Sequence, residues 1–182
     1  AAKEEGLKIG ITEIIIKALG KALNMHPMMN SRLEDDEIVI FRDVNIGIAL
    51  DSEKGLLVPV IRNVADKGVA EIASVLRSLA AAGRAGTLGT ESMTGGTFTL
   101  SNLGMIGIEE FTPLVNHPEC GILAVGAVKK EMVVNQIDES CGVRPMFRMT
   151  IVFDHRVIDG APAGRFLADL KRLLEHPLSL LE

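Results

Sequence analysis

The chain has 182 residues, of which 47% are hydrophobic, 3% aromatic and 24% charged, with a formal net charge of −5. That length suits one domain with a sizeable core, built without Trp or Tyr, and the 19 basic residues are too scattered to favour a nucleic-acid partner. No apolar run approaches the roughly 18 residues of a membrane-spanning helix, so the mean hydropathy of +0.28 reads as core plus subunit interface.

Thr12 is placed to cap a helix whose inner face is Ile14, Ile15, Ala18, Leu19, Ala22 and Leu23 and which stops before Pro27. Residues 37–41 and 44–50 alternate or run apolar, as strands do. Residues 51–55 form a turn, and 56–61 hold Pro59, which suits an edge strand or a bulge. Residues 69–79 read as a second helix with Ile72, Val75, Leu76 and Leu79 on one face, and 83–94 as a loop of small and polar residues. A short strand over 97–101 stops at Asn102-Leu103-Gly104. Residues 121–128 and 131–137 are expected to pair with each other, and 146–153 form a further strand ending at Asp154-His155. Asp159 then opens a last helix, with Pro162 tolerated in its first turn, Phe166, Leu167, Leu170, Leu173 and Leu174 inward, and Pro177 at its end. The tail leucines Leu178, Leu180 and Leu181 are expected to dock on another copy, the alternative being that they fold back on their own domain. The sum is one α/β domain over residues 1–182, a two-layer mixed sheet with packed helices.

The sharpest local feature is Asp154-His155-Arg156-Val157-Ile158-Asp159-Gly160, between a strand and a helix. A histidine held at a strand end suits a general base, because its unperturbed pKa lies near neutrality. Spacing alone leaves a second reading open, in which His155 is a partly buried turn residue and Asp159 a helix N-cap. Residues 95–107 form the other feature: a strand delivers Ser101 and Asn102 into a glycine-rich turn. Ser101 would donate to an oxyanion there, and the glycines would let the backbone approach a ligand, with Asn102 and Gly104 the candidate cofactor-binding residues. The alternative is a capped strand end whose glycines serve only the turn.

Together these segments resemble the catalytic domains of the dihydrolipoamide acyltransferases, the core subunits of 2-oxo-acid dehydrogenase complexes. The resemblance continues at Asp43-Val44-Asn45-Ile46-Gly47-Ile48-Ala49, at Gly55 to Ile61 and at Gly121 to Gly126, in order along the whole chain. It implies a chloramphenicol-acetyltransferase-like fold. It implies transfer of an acyl group between the thiol of a dihydrolipoyl group, presented by a separate lipoyl domain, and coenzyme A. His155 would be the base, Ser101 the oxyanion donor and Asp159 a loop-holding residue. It implies a homotrimer in which His and Ser come from neighbouring subunits, trimers joined into a larger core, and the other subunits of the complex as partners. The loop after Ser101 looks most like that of the acetyl-transferring members, which serve pyruvate or acetoin complexes. Members of the family usually carry another strand and helix before the point matching Ala1, so the domain is expected to be N-terminally truncated here; that portion supplies an arginine for the aspartate matching Asp159. The expected location is a bacterial or archaeal cytoplasm, or the mitochondrial matrix.

Rival readings are a cysteine hydrolase, a metal site and an assembly module with a degenerate site. Cys120 and Cys141 sit in no glycine-flanked nucleophile turn and read as free thiols of a reducing compartment. His155 and Asp159 would need a third metal ligand, and His26, His117 and His176 lie in unrelated contexts, so no metal is expected. The retention of His155, Asp159 and Ser101 speaks against a purely structural module.

Overall fold

A computed structural model describes residues 9–52, 55–135 and 138–180. The chain runs α1 (Ile11–Met25), β1 (Ser31–Glu34), β2 (Glu37–Ile40), β3 (Ile46–Ala49), β4 (Val60–Ile61), α2 (Val69–Ala85), β5 (Phe98–Asn102), β6 (Gly121–Val125), β7 (Lys129–Val134), β8 (Cys141–Met146), β9 (Met149–Phe153) and α3 (Gly160–Glu175). The main sheet has the order β4-β3-β5-β6-β9. Its three central strands are parallel, and β4 and β9 flank them antiparallel. The mixed two-layer α/β architecture expected from sequence is the one found.

Periodicity explains the layering. Along β3, β5 and β6, Ile46, Ile48, Phe98, Leu100, Leu123 and Val125 share one face, all at 5% exposure or less. Helices α1 and α3 pack together on that side, burying Ile15, Ile16, Leu19, Leu23, Phe166 and Leu170 completely. Each such side chain contributes about 1.5–3 kcal/mol of burial. The opposite face of β5 carries Thr99 and Ser101, with Thr97 just before the strand.

Several boundaries differ from expectation for local reasons. Helix α1 is capped by Gly10, not Thr12: the Glu13 carboxylate accepts the Gly10 N–H at 2.8 Å, and Thr12 lies in the first turn. Helix α2 continues six residues past Leu79, through alanines, and closes at Gly86, whose φ of 66° is left-handed. Gly83 falls inside it, buried against Leu88. The strand β1 was not foreseen; it pairs β2 across Asp35-Asp36, both at positive φ. The expected pairing of 121–128 with 131–137 does not occur. The strand β6 lies between β5 and β9, while β7 pairs β8; Ile137 is outside the described residues. Physically, β6 is apolar at every position and needs cover on both faces, as central parallel strands do, whereas β7 opens on two lysines and a glutamate and leaves Met132 and Val134 exposed. Leu180 is buried and its segment packs on α1, so this part of the tail folds back on its own domain, while Leu178 stays 78% exposed.

Candidate active site

Ser101 is the fourth residue of β5, held between β3 (Ala49) and β6 (Ala124). Its neighbours fix the turn that follows. Asn102 Oδ1 accepts the Gly104 N–H at 2.9 Å, and Asn102 Nδ2 donates to Thr12 Oγ1 at 3.1 Å. Both halves of the Asn102 amide are thus engaged in shaping the loop. Gly104 lies so close to β6 that a Cβ would sit 2.7 Å from the Gly126 carbonyl oxygen. A Cβ on Gly126 would fall 1.7 Å from the Glu109 carbonyl oxygen. The loop after Ser101 is therefore clamped to the end of β6 by bare backbone, and Ala127 N–H donates to Ile108 O at 2.7 Å.

His155 stands in the turn between β9 and α3. Asp154 and Arg156, on either side, pair with each other: Arg156 Nη2 reaches Asp154 Oδ2 at 2.6 Å and the Arg156 N–H reaches Asp154 Oδ1 at 2.9 Å. The Arg156 guanidinium holds the Asp154 carboxyl below the usual carboxylate range. The Asp154 N–H donates to Cys120 O at 2.7 Å, fastening the turn to the segment before β6. This clamp leaves the imidazole between them 70% exposed, resting at 5.7 Å between ring centres on Phe153. Within one chain the imidazole is therefore exposed rather than partly buried. Asp159 occupies the N-cap position of α3 but makes no side-chain cap hydrogen bond; its Oδ1 faces His155 Nδ1 at 3.7 Å, too long for a hydrogen bond.

Within one chain the two features do not meet. Ser101 pairs with Ala124, and Ala124 with Thr150, near the start of β9. His155 lies beyond Phe153, which pairs with Gly121 at the other end of β6. Three strand residues at ~3.3 Å each, and two strand spacings of ~4.8 Å, separate them by more than ~10 Å. The two features stand at opposite ends of the sheet.

Between these two features lies a buried acid that sequence reasoning missed. Glu119 is 6% exposed. Its oxygens accept from Thr99 Oγ1 at 2.5 Å and Asn116 Nδ2 at 3.1 Å. Burial pushes its carboxyl up to about 7, against the pull of those two hydrogen bonds. The signals were the polar alternation Thr97, Thr99, Ser101 and an acid placed two residues before a fully apolar strand.

Two cavities adjoin these elements. One of about 250 Å3 lies at the Ser101 end, lined by Thr12, Asn102, Gly104, Met105 and Phe147 among others. A larger apolar groove of about 570 Å3 runs between α3 and the β8–β9 turn and is lined by neither Ser101 nor His155. Among the described residues no cluster of three or more His, Cys, Asp or Glu is arranged to hold a metal ion. No helix among them is long and apolar enough to cross a membrane.

The family model for the 2-oxoacid dehydrogenases acyltransferase catalytic domain matches residues 1–182. The acetyltransferase component of the Bacillus subtilis pyruvate dehydrogenase complex is 40% identical over 182 residues, covering 99% of this chain and 41% of that protein. The succinyltransferase component of the Rickettsia bellii 2-oxoglutarate dehydrogenase complex is 38% identical over 179 residues, 98% of this chain and 44% of that protein. The chain thus spans about two fifths of the length of these curated relatives. Among solved structures, the cubic core of the pyruvate dehydrogenase multienzyme complex superposes with a TM-score of 0.93 at 37% identity, over 99% of this chain and 74% of that one. The dihydrolipoamide acetyltransferase of Azotobacter vinelandii, studied for the roles of a serine, a histidine and an asparagine in its catalytic mechanism, gives 0.91 at 38% identity, over 96% and 72%. A chloramphenicol acetyltransferase shares the fold alone, with a TM-score of 0.56 at 16% identity, over 91% and 78%.

Proposed function

The chain belongs to the 2-oxoacid dehydrogenase acyltransferases, as their catalytic domain, and from that premise we propose that it moves an acyl group between a dihydrolipoyl thiol and coenzyme A, at a site closed by two copies. The single observation that carries the two-copy reading is the placement of Ser101 and His155 at opposite ends of one sheet. Neither half-site suffices, and a second copy presenting its His155 to this Ser101 completes the pair. The resemblance names a trimer as the closed arrangement.

The chemistry then follows from the two side chains. A thiol with a pKa near 8.5 is only a few per cent ionised at neutral pH, so a base raises its reactivity. The ring nitrogen of His155 that does not face Asp159, Nε2, takes the thiol proton as sulfur attacks the thioester carbonyl. Ser101 of the other copy donates to the oxygen that becomes negative. On collapse the carbon–sulfur bond to the departing thiol breaks, and that thiolate recovers the proton from His155. No acyl-enzyme forms on this reading, because His155 spends its basicity on the attacking thiol and Ser101 acts only as a donor. Asp159 lies beside the imidazole without bonding to it. Asn102 and Gly104 serve coenzyme A through the loop they shape rather than through free side-chain groups.

The acyl group is acetyl on this reading, from the loop Ser101 to Phe111 and from relatives of the pyruvate dehydrogenase and acetoin-cleaving systems. The partners would be a lipoyl domain and the other subunits of a 2-oxo-acid dehydrogenase complex. The place would be a reducing one, either a bacterial or archaeal cytoplasm or a mitochondrial matrix, in keeping with two free cysteines. The test offers acetyl-, isobutyryl- and succinyl-dihydrolipoamide with coenzyme A to the assembled protein. Fastest transfer from the acetyl donor is expected; a faster succinyl donor would overturn the acetyl assignment, and no transfer from any donor would overturn the activity.

A further inference from the structure

Glu119 is a buried carboxyl that the reaction does not consume. It closes a triangle with Thr99 and Asn116, in which Asn116 Nδ2 also donates to Thr99 Oγ1 at 3.3 Å. Both half-sites are tied to this triangle. Thr99 precedes Ser101 by two residues on the same face of β5. On the other side, Glu119 is followed by Cys120, whose carbonyl holds the N–H of Asp154, the residue before His155. Two bare backbones make room for the group: a Cβ on Gly96 would lie 2.7 Å from Glu119 Oε1, and one on Gly47 3.1 Å from Thr99 Oγ1.

We propose that Glu119 is a positioning residue of the acyl-transfer site, fixing through Thr99 the strand that presents Ser101 and through the Cys120 carbonyl the turn that presents His155. The inference rests on the acyltransferase reading given above. It makes one acid the link between the two ends of the sheet, and so between successive active sites around the assembly.

A carboxyl in this position has a pH dependence of its own. The titratable and charged groups on the surrounding elements are engaged elsewhere. Arg32 on β1 pairs with Glu34 and lies over Phe41. Arg62, after β4, donates to the Glu91 and Thr94 carbonyls. His117 acts on Asp154, and the Cys120 thiol faces Ser31 and Asp154. Burial is therefore the main influence on Glu119, and its neutral form is the one the pocket favours. As pH rises a charge accumulates inside the triangle, and the positioning should loosen.

The test compares wild type, Glu119→Gln and Glu119→Ala as assembled proteins, with acetyl-dihydrolipoamide and coenzyme A, from about pH 6 to about pH 9. Glutamine keeps the volume, one oxygen to accept from Asn116 Nδ2 and an N–H that can donate to Thr99 Oγ1, but cannot ionise. Its kcat should stay within about threefold of wild type near pH 6.5 and should lack the wild-type decline above about 7. Alanine should lower kcat by roughly ten- to a hundredfold with little change in either KM, the signature of misplacement rather than lost binding. Amide hydrogen exchange should rise in Thr99–Asn102 and in Asp154–Ile158 together. Wild-type kcat and unchanged exchange in Glu119→Ala would overturn the proposal. So would equal losses in the glutamine and alanine variants, or superimposable pH profiles for wild type and Glu119→Gln. If wild type itself transfers no acyl group, the functional reading fails, and the exchange data still decide whether Glu119 holds both segments.

Discussion

His155 stands exposed between two residues that bind each other, so its position is set by the Asp154–Arg156 clamp and not by partners of its own. Replacing it by alanine should leave the fold intact and lower kcat by about two to four orders of magnitude, the scale of a lost acid–base group. Circular dichroism with steady-state kinetics checks both halves, and activity within a few-fold of wild type would remove it as the base. Ser101→Ala should cost kcat roughly 10²–10³ with little effect on KM; an acyl group trapped on Ser101 by mass spectrometry would contradict its donor role. Glu119 affects stability as well as geometry. Its folded pKa of about 7 lies above the ordinary 4.5, so its contribution is fully present below about pH 4.5 and is lost as pH rises through 7. The shift corresponds to roughly 3 kcal/mol. The melting temperature of wild type should fall relative to Glu119→Gln over that window, and a constant difference would contradict the burial argument. His155 and Ser101 were legible in the sequence because each sits in a short, distinctive string. Glu119 was not, because a buried acid differs from a surface one only in what covers it, and that cover comes from β3, the residue-96 turn and the Asn116 loop together.

At the scale of elements, the loop after Ser101 depends on glycine more than on side-chain contacts. Gly126→Ala would place a methyl group against the Glu109 carbonyl, and one of the two backbones must move. Overpacking of this kind costs about 1–3 kcal/mol. It should also displace the end of β5, so kcat should fall further than the melting temperature alone implies. Thermal unfolding with kinetics on the variant measures it, and an unchanged rate would mean that the loop is not coupled to Ser101. Helices α1 and α3 were readable from their stripes of Ile, Leu and Phe, and β4 from Pro59 at the sheet edge. The partners of β6 and β7 were not readable. Proximity in sequence favours the adjacent hairpin, but a strand apolar on both faces is satisfied only at the centre of a sheet. The strand β8 was hidden by Gly142 and Pro145, residues that β-edges tolerate and local propensity rejects.

On the scale of the whole molecule, the fold leaves a good deal of apolar surface open. Met105, Ile106 and Leu114, in the segment between β5 and β6, are 94%, 72% and 90% exposed, and β9 has no outer neighbour among the described residues. Such surface on a chain with two separated half-sites points to association through the same region that completes the site. The composition announced an interface, though not its place, since only the register of β5, β6 and β9 shows that one chain cannot join Ser101 to His155. The direct measurement is complementation. His155→Ala and Ser101→Ala proteins, each nearly inactive alone, are co-expressed so that their chains mix in one assembly. If every site takes His155 from one copy and Ser101 from another, random mixing restores about a quarter of the sites, and roughly that fraction of wild-type activity should return. Activity no greater than the sum of the two parent variants, in particles shown to be mixed, would contradict a site built across two copies.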